Sequence, residues 1–309
     1  KAGDLADENK WEDVIAHELF HHWFGDLVTA ESWSNLTVNE SFADYSEYLW
    51  NEYKYGKDEA DYKRLKSLRN FKADPRNFGK DLVRFNYESR EDMFDGVSYN
   101  KGGGILHMLR NYLGDDAFFG GLSDYLKTNE YGTGEAHQLR LSLEKVSGKD
   151  LNWFFNQWYF GKGYPKLEVK STFDPMKKQV TVNVAQTQEE KFEFPLSIDV
   201  LENGKISRKE VWVTAKAKND FVFDVTKNPE LVNANPEGLL LSDIKQDKTP
   251  EQLFLQYTTA KDLYSKYTAI EEAKDQVSKN PFADKLYAAA LKDKFYRNRL
   301  LALEGLPED

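Results

Sequence analysis

Near the start of the chain, His17-Glu18-Leu19-Phe20-His21 has the residue types and spacing of a metal-assisted hydrolase. On a helix, positions four apart share one face, so the His17 and His21 imidazoles lie one turn apart and can grip a single zinc ion. Glu18 falls about 100° further round. There it is off the ligand axis and placed to take a proton from a water that the metal activates, which makes it the candidate general base. A catalytic zinc keeps one position open and needs a third protein ligand; beside two histidines this is usually a carboxylate on a second helix. Glu40, separated from His21 by 18 residues, fits that place.

These side chains need elements to hold them. Val14, Ile15, Leu19 and Phe20 surround the polar trio, and predict a helix buried deeply enough to keep a metal site dry. Glu12 and Asp13 enrich its first turn, where the helix dipole favours negative charge, and Gly25 is expected to end it. Leu27–Leu36 reads as a connector and Val38–Tyr53 as the second helix, which brings Glu40 to the first. Asp44 lies one turn beyond Glu40: either it hydrogen-bonds a ligating imidazole or it is an exposed helical aspartate, and Asp26 carries the same two readings. His22, His107 and His137 have no partners at ligand spacing and read as non-catalytic.

The whole run, H-E-L-F-H-x-W-F-G-D-L-V-T followed by W-x-x-L-x-V-N-E-S-F-A-x-Y, resembles the zinc aminopeptidases of the aminopeptidase N family, gluzincins that also include the leukotriene hydrolase. The similarity continues to about Lys166, through Val97-Ser98-Tyr99-Asn100-Lys101-Gly102 and Trp153-Phe154-Phe155-Asn156-Gln157-Trp158. The resemblance implies His17, His21 and Glu40 as ligands of one zinc ion, Glu18 as base, and Tyr99 as the group that stabilises the tetrahedral intermediate. Ser41 stands where the family more often has glycine. The family's exopeptidase signature, G-x-M-E-N, is not in this sequence. It precedes the zinc helix in the family, after a large β-rich amino-terminal domain. The resemblance therefore implies the carboxy-terminal part of a longer protein, with an amino-terminal domain upstream that carries the carboxylates holding a peptide's free amine.

Of 309 residues, 40% are hydrophobic and 30% charged, and no apolar run approaches the length of a membrane-spanning helix. Cysteine is absent, which excludes disulfides, thiolate ligands and cysteine nucleophiles, and leaves the compartment open. The net charge of −10 is concentrated: residues 1–60 hold 14 acidic and 4 basic side chains. That acidity either favours a dication and a peptide amine and repels nucleic acid, or is a solvated helix face.

Further along, Glu59–Phe71 and Ile105–Leu113 read as helices, with Asp74–Glu91 a loop between them. Gly102-Gly103-Gly104 is no phosphate loop, because neither a preceding strand nor G-K-[ST] is present; small residues there let the backbone approach its neighbours. Asp115–Thr128, Glu135–Ser147 and Asp150–Phe160 complete a helical region. Five alternating stretches, Leu167–Phe173, Gln179–Ala185, Phe194–Leu201, Ile206–Val213 and Phe221–Val225, predict an antiparallel sandwich with an Asn203-Gly204 hairpin turn. From Thr249 the period is helical again, with Gln252–Tyr267 and Thr268–Ser278 as one hairpin and Pro281–Leu303 as another. The predicted fold is multidomain: a mainly α catalytic part, the carboxy-terminal portion of a thermolysin-like domain (1–166), then a β-sandwich (167–247), then the start of an α-helical domain (248–309).

The leading expectation is a zinc aminopeptidase acting on peptides with a free amino terminus. A thermolysin-like endopeptidase and a catalytically incomplete binding scaffold are the alternatives.

Overall fold

The computed structural model describes residues 11–307. The chain forms two compact units that divide between Tyr164 and Pro165. The first is helical apart from two short strands, and the second combines β-sheets with a closing set of helices. Among the described residues no helix is long and apolar enough to cross a membrane.

In the first unit, α1 spans Glu12–Phe20 and His21, still in helical conformation, caps it. The helix thus stops before Gly25, which is not its terminator. Gly25 instead seats the tight turn that follows: its φ is +156°, and a Cβ there would lie 2.7 Å from the His21 carbonyl oxygen.

A second expectation is also corrected. Val14, Ile15 and Leu19 are not buried but 46%, 42% and 53% exposed. The helix docks by its polar side onto α2, Thr37–Tyr55. Glu12 accepts hydrogen bonds from Trp50 Nε1 at 3.1 Å and Tyr55 Oη at 2.7 Å, and pairs with Lys54; Asp13 accepts from Asn51 Nδ2 at 2.7 Å and pairs with Lys63. These bonds satisfy the acids where two helices usually meet through hydrocarbon.

The deeply buried element is α2. Its first turns, Thr37 to Ala43, lie within the core, and Phe42 stacks on Phe24 at 4.1 Å. Tyr125 stacks on Phe24 and Phe118 meets Tyr45 edge-on, and Leu106 and Trp158 are also fully buried in this unit. The expected connector holds a strand, β1 (Val28–Ala30), paired in parallel with β2 (Gly132–Gly134). Then come α3 (Lys57–Ala73), a loop with short 3-10 turns, one π-helical turn over Val97–Lys101, and α4 (Gly102–Leu113). The three glycines that open α4 each face a different side chain. A Cβ would fall 1.9 Å from Ser41 Oγ at Gly102, 2.2 Å from Asp44 Oδ2 at Gly103 and 2.6 Å from Leu68 Cδ2 at Gly104. Helices α5 (Asp115–Thr128), α6 (Ala136–Ser147) and α7 (Asn152–Trp158) complete the unit.

The second unit opens with strands β3 (Lys166–Asp174), β4 (Gln179–Gln186), β5 (Phe194–Glu202), β6 (Lys205–Val213), β7 (Lys218–Asp224), β8 (Leu231–Ala234) and β9 (Asp243–Lys245). They form a four-stranded sheet, β7-β4-β3-β9, and a three-stranded sheet, β6-β5-β8. Every pairing is antiparallel except β3 with β9. Alternate residues are buried, with Val180, Val182 and Val184 on β4 and Leu196, Ile198 and Val200 on β5. The Asn203-Gly204 turn joins β5 to β6 with both residues at positive φ.

Helices α8 (Pro250–Thr259), α9 (Leu263–Ala273), α10 (Pro281–Ala290) and α11 (Tyr296–Glu304) follow. The expected helix over Gln252–Tyr267 is two helices, because the chain extends at Ala260 and Asp262 caps a new start by accepting from Ser265 N at 2.7 Å. Leu253, Tyr257, Ile270, Leu286 and Tyr287 centre their shared core.

Candidate metal centre

Three ligand-type atoms meet at the start of α2. Glu40 Oε2 lies 3.4 Å from His17 Nε2 and 3.4 Å from His21 Nε2. Among the described residues this trio is the one group of histidines and acids arranged to hold a metal ion. Glu40 Oε2 is buried and has no hydrogen-bond partner, a costly state for a carboxylate oxygen unless a cation meets it. A tetrahedral zinc with bonds of about 2.0–2.1 Å spaces its ligand atoms about 3.3–3.4 Å apart. Two imidazole nitrogens and one carboxylate oxygen are a zinc donor set and leave one of its positions open. The residues present therefore fit the ion.

The outer nitrogens of both rings are held as well. His17 Nδ1 meets Glu47 Oε1 at 3.0 Å, and His21 Nδ1 meets the Phe24 carbonyl at 2.9 Å. A ring nitrogen that donates to a carboxylate or carbonyl leaves the other nitrogen free to bind metal. Glu47 is the orienting residue that the sequence reading missed. The signal was available, since Glu47 lies seven residues, about two turns, beyond Glu40 on α2.

Asp44, between them, takes neither role foreseen for it. It bonds no imidazole and is not exposed; its carboxyl is pressed against Gly103, and burial, followed by the charge of Glu47, pushes it up to about 7. Asp26 pairs instead with His22 at 3.3 Å on the surface.

Protons see the trio as strong electrostatic coupling. Burial opposes charge on His17, but the Glu40 and Glu47 carboxylates outweigh it and raise the ring to about 10. His21 is raised chiefly by Glu40. Burial likewise acts to raise Glu40, and the facing imidazoles overcome it, holding the carboxyl at about 2.

The Tyr99 ring stacks on His17, with centroids 5.9 Å apart and planes 19° from parallel. Burial, then the charge of Glu40 and a hydrogen bond to its carboxylate, then the charge of Glu18, raise its phenol above the ordinary range, so it stays a hydrogen-bond donor. Glu18 is exposed on α1 beside this group. The remaining histidines lie elsewhere: His107 is buried against the Tyr45 hydroxyl at 3.1 Å, and His137 stacks on Phe160.

Residues 2–158 match the Peptidase family M1 domain. The chain belongs to peptidase family M1. Among relatives of this M1 chain, aminopeptidase N of Lactococcus lactis is 29% identical over 76% of the chain and 29% of its own length. Aminopeptidase M1 of Arabidopsis thaliana is 35% identical over 51% of the chain and 18% of its own length. The chain thus spans less than a third of the length of these relatives. A solved structure of Legionella pneumophila aminopeptidase A in complex with aspartic acid superposes with a TM-score of 0.78 at 21% identity, covering 96% of this chain and 35% of that one. That likeness is one of fold: a helical first part, then β-sheets, then helices.

Proposed function

We propose that this M1 chain carries the zinc centre of an aminopeptidase, with His17, His21 and Glu40 as ligands, Glu18 as general base and Tyr99 as donor to the oxyanion. The observation that carries the proposal is the convergence of two Nε2 atoms on a buried, otherwise unpartnered Glu40 Oε2. Zinc there would supply a Lewis acid for the scissile carbonyl and bring the pKa of water to about 7. Glu18 would take that water's proton and return it to the departing amine nitrogen. Tyr99, kept neutral by its surroundings, would donate a hydrogen bond to the oxygen that becomes negative, a contribution commonly worth about 10²- to 10³-fold in rate. The division into residues 1–166, 167–247 and 248–309 is part of the same proposal, as is an upstream domain supplying the recognition of the amine.

Zinc content and hydrolysis of aminoacyl arylamides by the chain, alone and joined to its upstream sequence, test this. E18Q should keep one zinc per chain and lose turnover. Turnover at the parent rate in E18Q would overturn the base assignment, and cleavage of amino-terminally blocked peptides would favour an endopeptidase.

A further inference from the structure

Ser41 follows Glu40 on α2 and is buried, with 1% of its surface exposed. Its hydroxyl donates to the Ser98 carbonyl oxygen at 2.6 Å and lies 2.6 Å from Thr37 Oγ1. A hydroxyl has one proton to give. That of Ser41 is committed to the carbonyl, so Thr37 is the donor in the second bond. The carbonyl it reaches belongs to the peptide unit that leads into Tyr99.

Ser98 is itself fixed. Its Oγ donates to the Met93 carbonyl at 2.5 Å, and its amide donates to Asp95 Oδ1 at 3.1 Å. Gly102 closes the other side, where one added carbon would fall 1.9 Å from Ser41 Oγ. Helix α2 and the turn carrying Tyr99 therefore meet at a point with no spare room, joined by a buried chain of hydrogen bonds from Thr37 through Ser41 to Ser98.

We propose that Ser41 is a positioning residue: its hydroxyl ties the helix carrying Glu40 to the peptide unit carrying Tyr99, and so sets the separation of carboxylate and phenol. The proposal rests on the roles given above to Glu40 and Tyr99. Both bonds lie away from water, where an orphaned carbonyl or hydroxyl is costly, so the tie resists sliding of one element past the other. Glycine, the residue more often found here in the resemblance described above, has no hydroxyl to make this link.

The test is S41A in the full chain, read first by ¹⁹F NMR with 3-fluorotyrosine in place of Tyr99, with and without zinc. S41A should displace or split the fluorine resonance and leave zinc stoichiometry unchanged. On an aminoacyl arylamide, kcat should fall about 10- to 100-fold at unchanged KM, the scale of a small misplacement near reacting atoms. That fall should vanish when the background is Y99F. An undisplaced resonance, or an equal rate loss in the Y99F background, would overturn the tie. If Y99F alone leaves kcat unchanged, the role of Tyr99 fails, and the fluorine signal still decides whether Ser41 holds the turn.

Discussion

Removing Glu47 measures how much of the metal affinity comes from holding one imidazole still. Its carboxylate meets His17 Nδ1 at 3.0 Å, with 35% of the glutamate side chain open to solvent. Partners of this kind tune metal affinity by about 10- to 100-fold. Solvent screening places E47A at the lower end, about 10-fold in Kd or roughly 1.4 kcal/mol. E47Q keeps an oxygen acceptor and loses the charge. A neutral hydrogen bond is about half as strong as a charged one, so that variant should lose only about 3-fold. Competition against a chromophoric zinc chelator gives both values, with far-UV circular dichroism confirming the fold. Because Glu47 acts through His17, E47A should change Kd by about twofold or less in an H17A background. A parent-like Kd in E47A, or a full loss in the H17A background as well, would refute the orienting role.

Further outcomes follow from the same geometry. The Glu40 and Glu47 carboxylates raise His17 to about 10, and Glu40 raises His21, so zinc should displace protons when it binds near neutrality and its affinity should fall as pH falls. Calorimetry in buffers of different ionisation heat counts those protons, and binding independent of pH would contradict the ligand set. G25A would press a methyl group to 2.7 Å from the His21 carbonyl, costing about 1–3 kcal/mol and weakening zinc binding, as thermal melts and chelator competition would show. F194A removes a fully buried ring from β5 and should cost about 3–5 kcal/mol in urea unfolding of the second unit.

Fixed spacing is what made much of this legible in sequence. Positions four apart on α1 and the existence of a second helix carrying Glu40 follow from helical periodicity, and the valine-rich strands from alternation. Harder to see were features that depend on partners distant in the chain. Strand β1 is three residues long and its partner lies about a hundred residues away, so no local pattern betrays it. Strand β9 pairs in parallel with β3, again across a long separation. The outward face of Val14, Ile15 and Leu19 reverses the usual rule, because Glu12 and Asp13 find hydrogen-bond donors on α2 and α3 that hydrophobicity does not record. Glu47 was missed because Asp44, one turn nearer Glu40, offered the same chemistry; only the packing against Gly103 shows that it points elsewhere.

The polar junction between α1 and α2 changes what an excursion of α1 would cost. Parting the two would hydrate acids, amides and imidazoles along with the Phe20 contact on Phe24, so the heat-capacity increment of that local opening should be smaller than for an apolar junction of the same size. Its population would then respond to ionic strength more than to cooling. An ion gripped from both sides, by His17 and His21 on one helix and Glu40 on the other, would act as a rivet across the junction, and amide exchange along α1 should slow when it binds.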